Sequence, residues 1–257
     1  MIRLIASDID GTLLPYGEKA VPEEIFEEIR RLERGGVLFC PASGRQYTSL
    51  RRLFAPVAGK TPFLCENGAV VFGPGSPGPV LGKTAMDRAR AERLCREIAA
   101  LPGVEVLISG EDTSYLCPKG EEILPLMEGK GNNIVLVPRP EDVPEDIVKI
   151  AAYCPGRLEE TRQVLSRRWG GRFRVAVAGA EWVDFTSADK GTGLAQLCAA
   201  LGVGLDEVMA FGDNFNDVPM LSAVGHPWLM EGADPALKER FPAHCANVAD
   251  VLRHIDA

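Results

Sequence analysis

Two carboxylates stand two residues apart in Asp8-Ile9-Asp10-Gly11-Thr12-Leu13, directly after the largely apolar run Ile2 to Ala6. The run reads as a buried parallel strand. Asp and Gly are poor strand formers, so they mark its end. Residues two apart on an extended chain point the same way. Asp8 and Asp10 therefore face one small volume at the carboxyl end of a strand, where open α/β sheets bind ligands. Gly11 lets the chain turn away tightly. Carboxylates this close repel each other unless a cation or a proton joins them. Mg²⁺, hard and oxygen-seeking, is the natural partner. The plainer alternative is a strand followed by an acidic turn.

Three further stretches carry chemistry-bearing residues. Val37 to Cys40 reads as a strand leading into Pro41-Ala42-Ser43-Gly44-Arg45, with a helix over Tyr47 to Phe54. A small hydroxyl and exposed amides at such a turn suit a phosphate oxygen; an ordinary turn capped by Ser43 has the same pattern. Downstream, Ser187-Ala188-Asp189-Lys190-Gly191-Thr192-Gly193-Leu194 opens a helix with Leu194, Leu197, Cys198 and Leu201 on one face. A lysine at a helix head opposes the helix dipole, which leaves Lys190 either another task or a place on the surface. Finally, the strand-like run Val208 to Phe211 ends in Gly212-Asp213-Asn214-Phe215-Asn216-Asp217. A second strand end is thus loaded with acids, although an Asx-rich turn before a helix is also consistent.

Taken in order, Asp8 to Leu13, Ser43-Gly44-Arg45, Lys190 and the GDxxND of Gly212 to Asp217 resemble the four signatures of the haloacid dehalogenase (HAD) superfamily of phosphohydrolases. Ser43 stands where Thr also occurs. Asn67-Gly68-Ala69 and the large insertion described below resemble the Cof-type phosphatases of subfamily IIB. The resemblance extends over the whole chain as architecture, is looser after Met230, and is sharp over only about twenty residues. It implies a Mg²⁺-dependent phosphatase that works through an aspartyl-phosphate. Asp8 would be the nucleophile, Asp10 the general acid/base, and Lys190 the cation that offsets Asp8 and the phosphate. Mg²⁺ would be held by the carboxylates of Asp8 and Asp213 and the backbone carbonyl of Asp10, with Asp217 behind them. Ile9, Ser43, Gly44, Lys190 and Asn216 would bind phosphate.

The intervening elements must position these residues. Pro22-Glu23-Glu24 starts a helix with Pro and acids in its first turn, and Ile25, Phe26, Ile29 and Leu32 give it one buried face. Pro62 to Phe72 reads as a hairpin around Asn67-Gly68, which by itself accounts for Asn67. From about Lys83 the expected elements are a helix over Asp87 to Leu101 and strands over Val104 to Ile108 and Ile134 to Val137. Helices near Asp142 to Ile150 and Leu158 to Trp169 follow, then closing strands over Phe173 to Val177 and Trp182 to Phe185. An insertion of about a hundred residues can bury its own core. After it, Val224 to Met230 reads as an edge strand, with helices over Ala236 to Phe241 and Val248 to His254. The fold class is therefore α/β, a Rossmann-like doubly wound parallel sheet core with an inserted α+β cap domain. The core is expected at 1–82 and 184–257 and the cap at 83–183.

The composition narrows the function. The 257 residues are 46% hydrophobic and 25% charged, with a net charge of −8. An acidic chain is a poor binder of nucleic acid or anionic membrane, so the expected partner is a small phosphorylated metabolite. Seven cysteines at wide spacing, without a CxxC pair, argue for reduced thiols and a cytoplasmic setting. There is no signal peptide and no apolar run long enough for a bilayer. The three histidines, His226, His244 and His254, lack ligand spacing and read as bystanders. Basic cap residues such as Lys119, Arg157, Arg162 and Arg167 read as solvated surface. A hexose phosphomutase using the same aspartyl-phosphate is the nearest alternative, and a non-catalytic phospho-ligand binding protein is the next. The substrate is a small phosphate monoester, a sugar phosphate among the first to consider; its identity and the oligomeric state are not legible.

Overall fold

The apolar runs become strands, and their alignment brings the acids to one edge. The computed structural model describes residues 1–15, 18–120 and 122–256. Residues 16 and 17, in the loop expected from Pro15 to Val21, lie outside them. Five parallel strands form one sheet in the order His244–Cys245, His226–Met230, Val208–Gly212, Leu4–Ser7, Leu38–Pro41. From the inner strand Leu4–Ser7 the chain steps outward to the edge strand Leu38–Pro41 on one side. Later it returns beside Leu4–Ser7 as Val208–Gly212 and steps outward on the other side. The reversal lies between these two strands, and such a switch point opens a crevice beyond the strand ends. His226–Met230 is not the edge strand expected, because Leu229 and Met230 pair with His244 and Cys245.

Alternation along Leu4–Ser7 feeds two cores. Ile5 packs with Ile25, Phe26, Ile29 and Leu32 of the helix Glu23–Arg34 and with Leu252 of Val248–Arg253. Leu4 and Ala6 pack on the opposite face with Leu194 and Leu197 of Lys190–Leu201 and Leu237 of Pro235–Arg240. Each such large apolar side chain contributes roughly 1.5–3 kcal/mol by leaving water.

A second, mixed sheet of six strands has the order Arg174–Ala178, Trp182–Thr186, Lys149–Tyr153, Glu105–Ser109, Ser114–Leu116, Ile134–Leu136. Helices Arg88–Ala99 and Leu158–Trp169 cover one face through Leu94, Ile98, Leu165 and Trp169. The helix Ile123–Gly129 covers part of the other. The helix expected near Asp142 to Ile150 is instead a short turn at Pro140–Asp142 followed by the strand Lys149–Tyr153. Pro144 forces Val143 into extended backbone (φ −64°, ψ 119°) and so prevents a helix there. Val148 and Ile150 are fully buried beyond it. The parallel core and this mixed sheet together give the α/β architecture expected. No helix among the described residues is long and apolar enough to cross a membrane.

A third, three-stranded sheet (Phe63–Cys65, Val70–Phe72, Val80–Lys83) is antiparallel. Its first turn is longer than a two-residue hairpin: Glu66, Asn67 and Gly68 all have left-handed backbone, with φ of 51°, 58° and 92°. Gly68 sits against the start of the helix Lys190–Leu201, and a Cβ there would lie 2.1 Å from the Asp189 carbonyl oxygen. Gly68→Ala is therefore expected to cost roughly 2–4 kcal/mol in urea unfolding. An unchanged unfolding midpoint would contradict this close crossing.

Candidate active site

Strand register decides which residues meet. Ser7 pairs with Pro41 on one side and Phe211 on the other, so three strands end level. The Asp8 N–H donates to the Phe211 carbonyl at 2.9 Å and the Ala42 N–H to the Ser7 carbonyl at 2.7 Å. The loops starting at Asp8, Ala42 and Asp213 therefore leave the sheet together, although Asp8 and Asp213 are separated by some two hundred residues of sequence.

Lys190 reaches this edge from another element. Its helix is opened by Asp189, whose carboxylate accepts the Thr192 N–H at 2.7 Å, while the Thr192 hydroxyl accepts the Asp189 N–H at 2.9 Å. This capping box sets the start of the helix and so directs Lys190 inward. Lys190 is 1% exposed, and its Nζ lies 2.5 Å from both Asp8 Oδ1 and Asp217 Oδ1. A surface lysine at a helix cap does not fit this position. Burial alone would lower the Lys190 pKa, but Asp217 and Asp8 outweigh it and hold the ammonium protonated. Asp8 moves the other way for a carboxyl: burial raises it well above the ordinary value, Asp217 and Asp213 add to this, and Lys190 offsets part.

The acids fit a divalent cation. Carboxylate oxygens of Asp8, Asp213 and Asp217 lie within 4.8 Å of one another. Asp8 Oδ2 is buried and has no hydrogen-bond partner among the described residues. Asp217 is already engaged: besides Lys190, its Oδ2 accepts the backbone N–H groups of Asp213 at 3.0 Å and Asn214 at 3.1 Å. Asp213 also lies 3.4 Å from the Thr12 hydroxyl. An oxygen-only donor set with one orphaned carboxylate oxygen suits Mg²⁺.

The remaining expected residues surround this group. Asp10 is paired with Arg45, whose Nε and Nη2 donate to its two oxygens at 3.1 and 2.5 Å. Ser43 is buried, and its Oγ accepts the Arg45 N–H at 3.3 Å. Gly44 is needed for space, since a Cβ there would meet the Asn67 side chain at 3.0 Å. Ile9 buries its side chain in the core, so only its backbone faces the loop. Asn216 lies half-buried in the turn before Asp217, and no hydrogen bond joins it to Asp8 among the described residues.

Sequence reasoning assigned no role to Arg45, Lys149, Glu66 or Asp184. Lys149 and Asp184 come from the mixed sheet, and both are buried against the turn of Glu66 and Asn67. Lys149 Nζ lies 2.6 Å from Glu66 Oε2 and 3.4 Å from Asp184 Oδ2, and the Asn67 side-chain amide donates to Asp184 at 3.0 Å. A signal was present: Lys149 is the lone charge within Ile147-Val148-Lys149-Ile150-Ala151-Ala152. The basic residues read as surface keep that place, with Arg157 and Arg162 paired to Glu160 and Glu159 at exposed positions.

Comparison with known proteins gives a consistent result. The sequence profile of the haloacid dehalogenase-like hydrolases matches residues 5–250. The chain is 28% identical to the 5-amino-6-(5-phospho-D-ribitylamino)uracil phosphatase YbjI of Escherichia coli, covering 99% of this chain and 95% of that protein. It is also 28% identical to the pyridoxal phosphate phosphatase YbhA of the same organism, over 93% and 91%. A solved structure from Eubacterium rectale is 31% identical, covers 98% of both chains and superposes with a TM-score of 0.85.

Lys190→Met leaves buried carboxylates without their cation, and a loss of roughly 3–5 kcal/mol is expected in chemical denaturation. Lys190 offsets part of the burial that already raises the folded-state pKa of Asp8 above its ordinary 3.8, so without it that pKa rises further and the variant loses more stability than wild type as pH rises. The deficit of the variant should therefore be larger at pH 8 than at pH 5. A deficit independent of pH would show that the lysine does not act through these charges.

Proposed function

The chain belongs to the haloacid dehalogenase-like hydrolases, in their Cof-type branch, and we propose that it hydrolyses a small phosphate monoester through an aspartyl-phosphate with Mg²⁺ as cofactor. It is an enzyme of the phosphatase kind, and its relatives act on small phosphate esters. One observation carries the finer reading. A buried lysine clamps Asp8 and Asp217 beside Asp213, while the second oxygen of Asp8 has no hydrogen-bond partner among the described residues.

In this reading the Asp8 carboxylate attacks phosphorus in line with the departing oxygen, and a phosphoryl–aspartate bond forms. Asp10, paired at the mouth with Arg45 in this structure, leaves that pair to take up a proton and gives it to the leaving oxygen. It then takes a proton from the water that hydrolyses the intermediate. Lys190 stays protonated and offsets the charge that accumulates on Asp8 and the phosphoryl oxygens. Ser43 and the backbone of Ile9 and Gly44 receive those oxygens, with Asn216 at the rim. Mg²⁺ would be held by the carboxylates of Asp8 and Asp213 and the Asp10 carbonyl, and when bound it supplies the positive charge that lets two anions approach. Asp217, occupied by Lys190 and two amides, would orient the Asp213 loop.

Residues 83–183, with the rest of the strand Trp182–Thr186, would act as the cap that closes over the ester and excludes water at the wrong step. The contacts between the two units support this. Thr48 donates to Asp112 through its N–H at 2.8 Å and its hydroxyl at 2.7 Å, and Gln46 exchanges hydrogen bonds with Asn133 at 3.0 and 2.6 Å. All seven cysteines are free, six of them buried, which supports a reducing, cytoplasmic setting.

Phosphate release from a panel of sugar phosphates, nucleotides, phosphorylated cofactors and p-nitrophenyl phosphate tests the proposal. Release is expected with Mg²⁺ and not with EDTA, and Asp8→Asn should lower it by at least about a thousandfold while the fold is retained. Conversion of a hexose 1-phosphate to its 6-phosphate without free phosphate would instead identify a mutase. Ligand binding with no turnover would identify a binding protein.

A further inference from the structure

The mixed sheet sends one charged side chain into the loop that would hold the phosphate. Lys149 Nζ donates to the carbonyl oxygen of Gly44 at 2.7 Å. Glu66 lies 2.6 Å from the same nitrogen and Asp184 3.4 Å. The side chains of all three are at most 7% exposed. Burial alone would favour loss of the Lys149 proton, but Asp184 and Glu66 outweigh it and keep the ammonium charged. The turn that carries Glu66 is itself tied to this loop. The Glu66 N–H donates to the Arg45 carbonyl at 3.1 Å, and the Asn67 N–H to the Ser43 carbonyl at 2.9 Å.

The Gly44 carbonyl and the Arg45 N–H belong to one planar trans peptide, so they point in opposite directions. Holding the carbonyl on the cap side turns the N–H to the other side, where it meets Ser43 Oγ at 3.3 Å. The same plane carries Gly44, where a Cβ would crowd the Asn67 side chain at 3.0 Å, and leads into Arg45, which holds Asp10. One ammonium from the cap thereby sets the orientation of the Ser43-Gly44-Arg45 turn.

We propose that Lys149 is a positioning residue: it completes the phosphate-binding turn from the cap side by fixing the Gly44–Arg45 peptide. This rests on the phosphatase reading of the same site. Thr48, Gln46 and Ser49 also join the two units, but none of them touches this peptide.

The test compares wild type, Lys149→Met, Lys149→Met/Glu66→Gln and Asp112→Asn. The double variant removes the buried carboxylate that the single variant would strand, and Asp184 keeps its bond from Asn67. Asp112→Asn weakens another contact between the same units and serves as the control for cap seating. For each, thermal unfolding, kcat and KM on p-nitrophenyl phosphate with Mg²⁺, and the affinity for inorganic phosphate by calorimetry are measured. The double variant is expected to fold, to lose roughly ten- to a hundredfold in kcat and to bind phosphate about tenfold more weakly, with Asp112→Asn close to wild type. If the double variant keeps kcat and phosphate affinity within about twofold of wild type, or if Asp112→Asn loses as much, Lys149 does not position the turn. Should wild type bind phosphate yet hydrolyse nothing, the phosphatase reading fails while the calorimetric comparison still decides the role of Lys149. Should it do neither, both fail.

Discussion

The site depends on neutralising acids that have been taken out of water. Asp8 and Asp217 are almost completely buried, and neither is tolerated as a lone charge in such surroundings. Lys190 answers both at once, at 2.5 Å each. To do so it must leave the surface, and the helix Lys190–Leu201 must begin where it does. The capping box of Asp189 and Thr192 fixes that start, and Gly68 lets the neighbouring turn approach the same helix closely. A buried cation, a helix start and a left-handed turn are thus one packing arrangement.

That arrangement gathers three acids at one place, Asp8, Asp213 and Asp217. Lys190 bonds Asp8 and Asp217, and one oxygen of Asp8 has no hydrogen-bond partner among the described residues. Asp217 bonds the amides of the Asp213 loop as well as Lys190, so it acts on loop shape as well as charge. A divalent cation would complete the balance, and the oxygen donors around the orphaned atom are of the kind Mg²⁺ prefers. In the proposed reaction the same balance lets an anion attack an anion.

The second unit contributes a comparable arrangement at its contact with the first. Lys149, Glu66 and Asp184 form a buried ionic group between two strands of the mixed sheet and the turn of the three-stranded sheet. Such a group is weak evidence for stability by itself, because its desolvation opposes its attraction. It is strongly directional, however, and a misplaced mixed sheet would leave its charges buried and unpaired. The cluster therefore favours one seating of that sheet over others, and Lys149 adds the contact to Gly44 that ties this seating to the turn proposed to hold phosphate.

Local chemistry made much of this legible. Asp8, Asp10, Asp213 and Asp217 announce themselves because acids and glycine are out of place at the end of an apolar strand, and Ser43 follows by the same reasoning. The helix Glu23–Arg34 and the strands of the core are visible from spacing alone, since burial on one face imposes a period. The segment near Asp142 to Ile150 departs from the expected helix because Pro144 keeps Val143 extended and the chain then enters the strand Lys149–Tyr153. Arg45 stands in the second signature without any sign of its partner Asp10, and Lys149 pairs with Glu66, more than eighty residues before it, and with Asp184, about thirty-five after it, at spacings that mark no element. The sequence by itself determined which residue types end each strand, and with them the kind of chemistry the chain supports. Only the tertiary structure decided which buried charge faces which, because ion pairing acts through a few ångströms of space and is indifferent to distance along the chain.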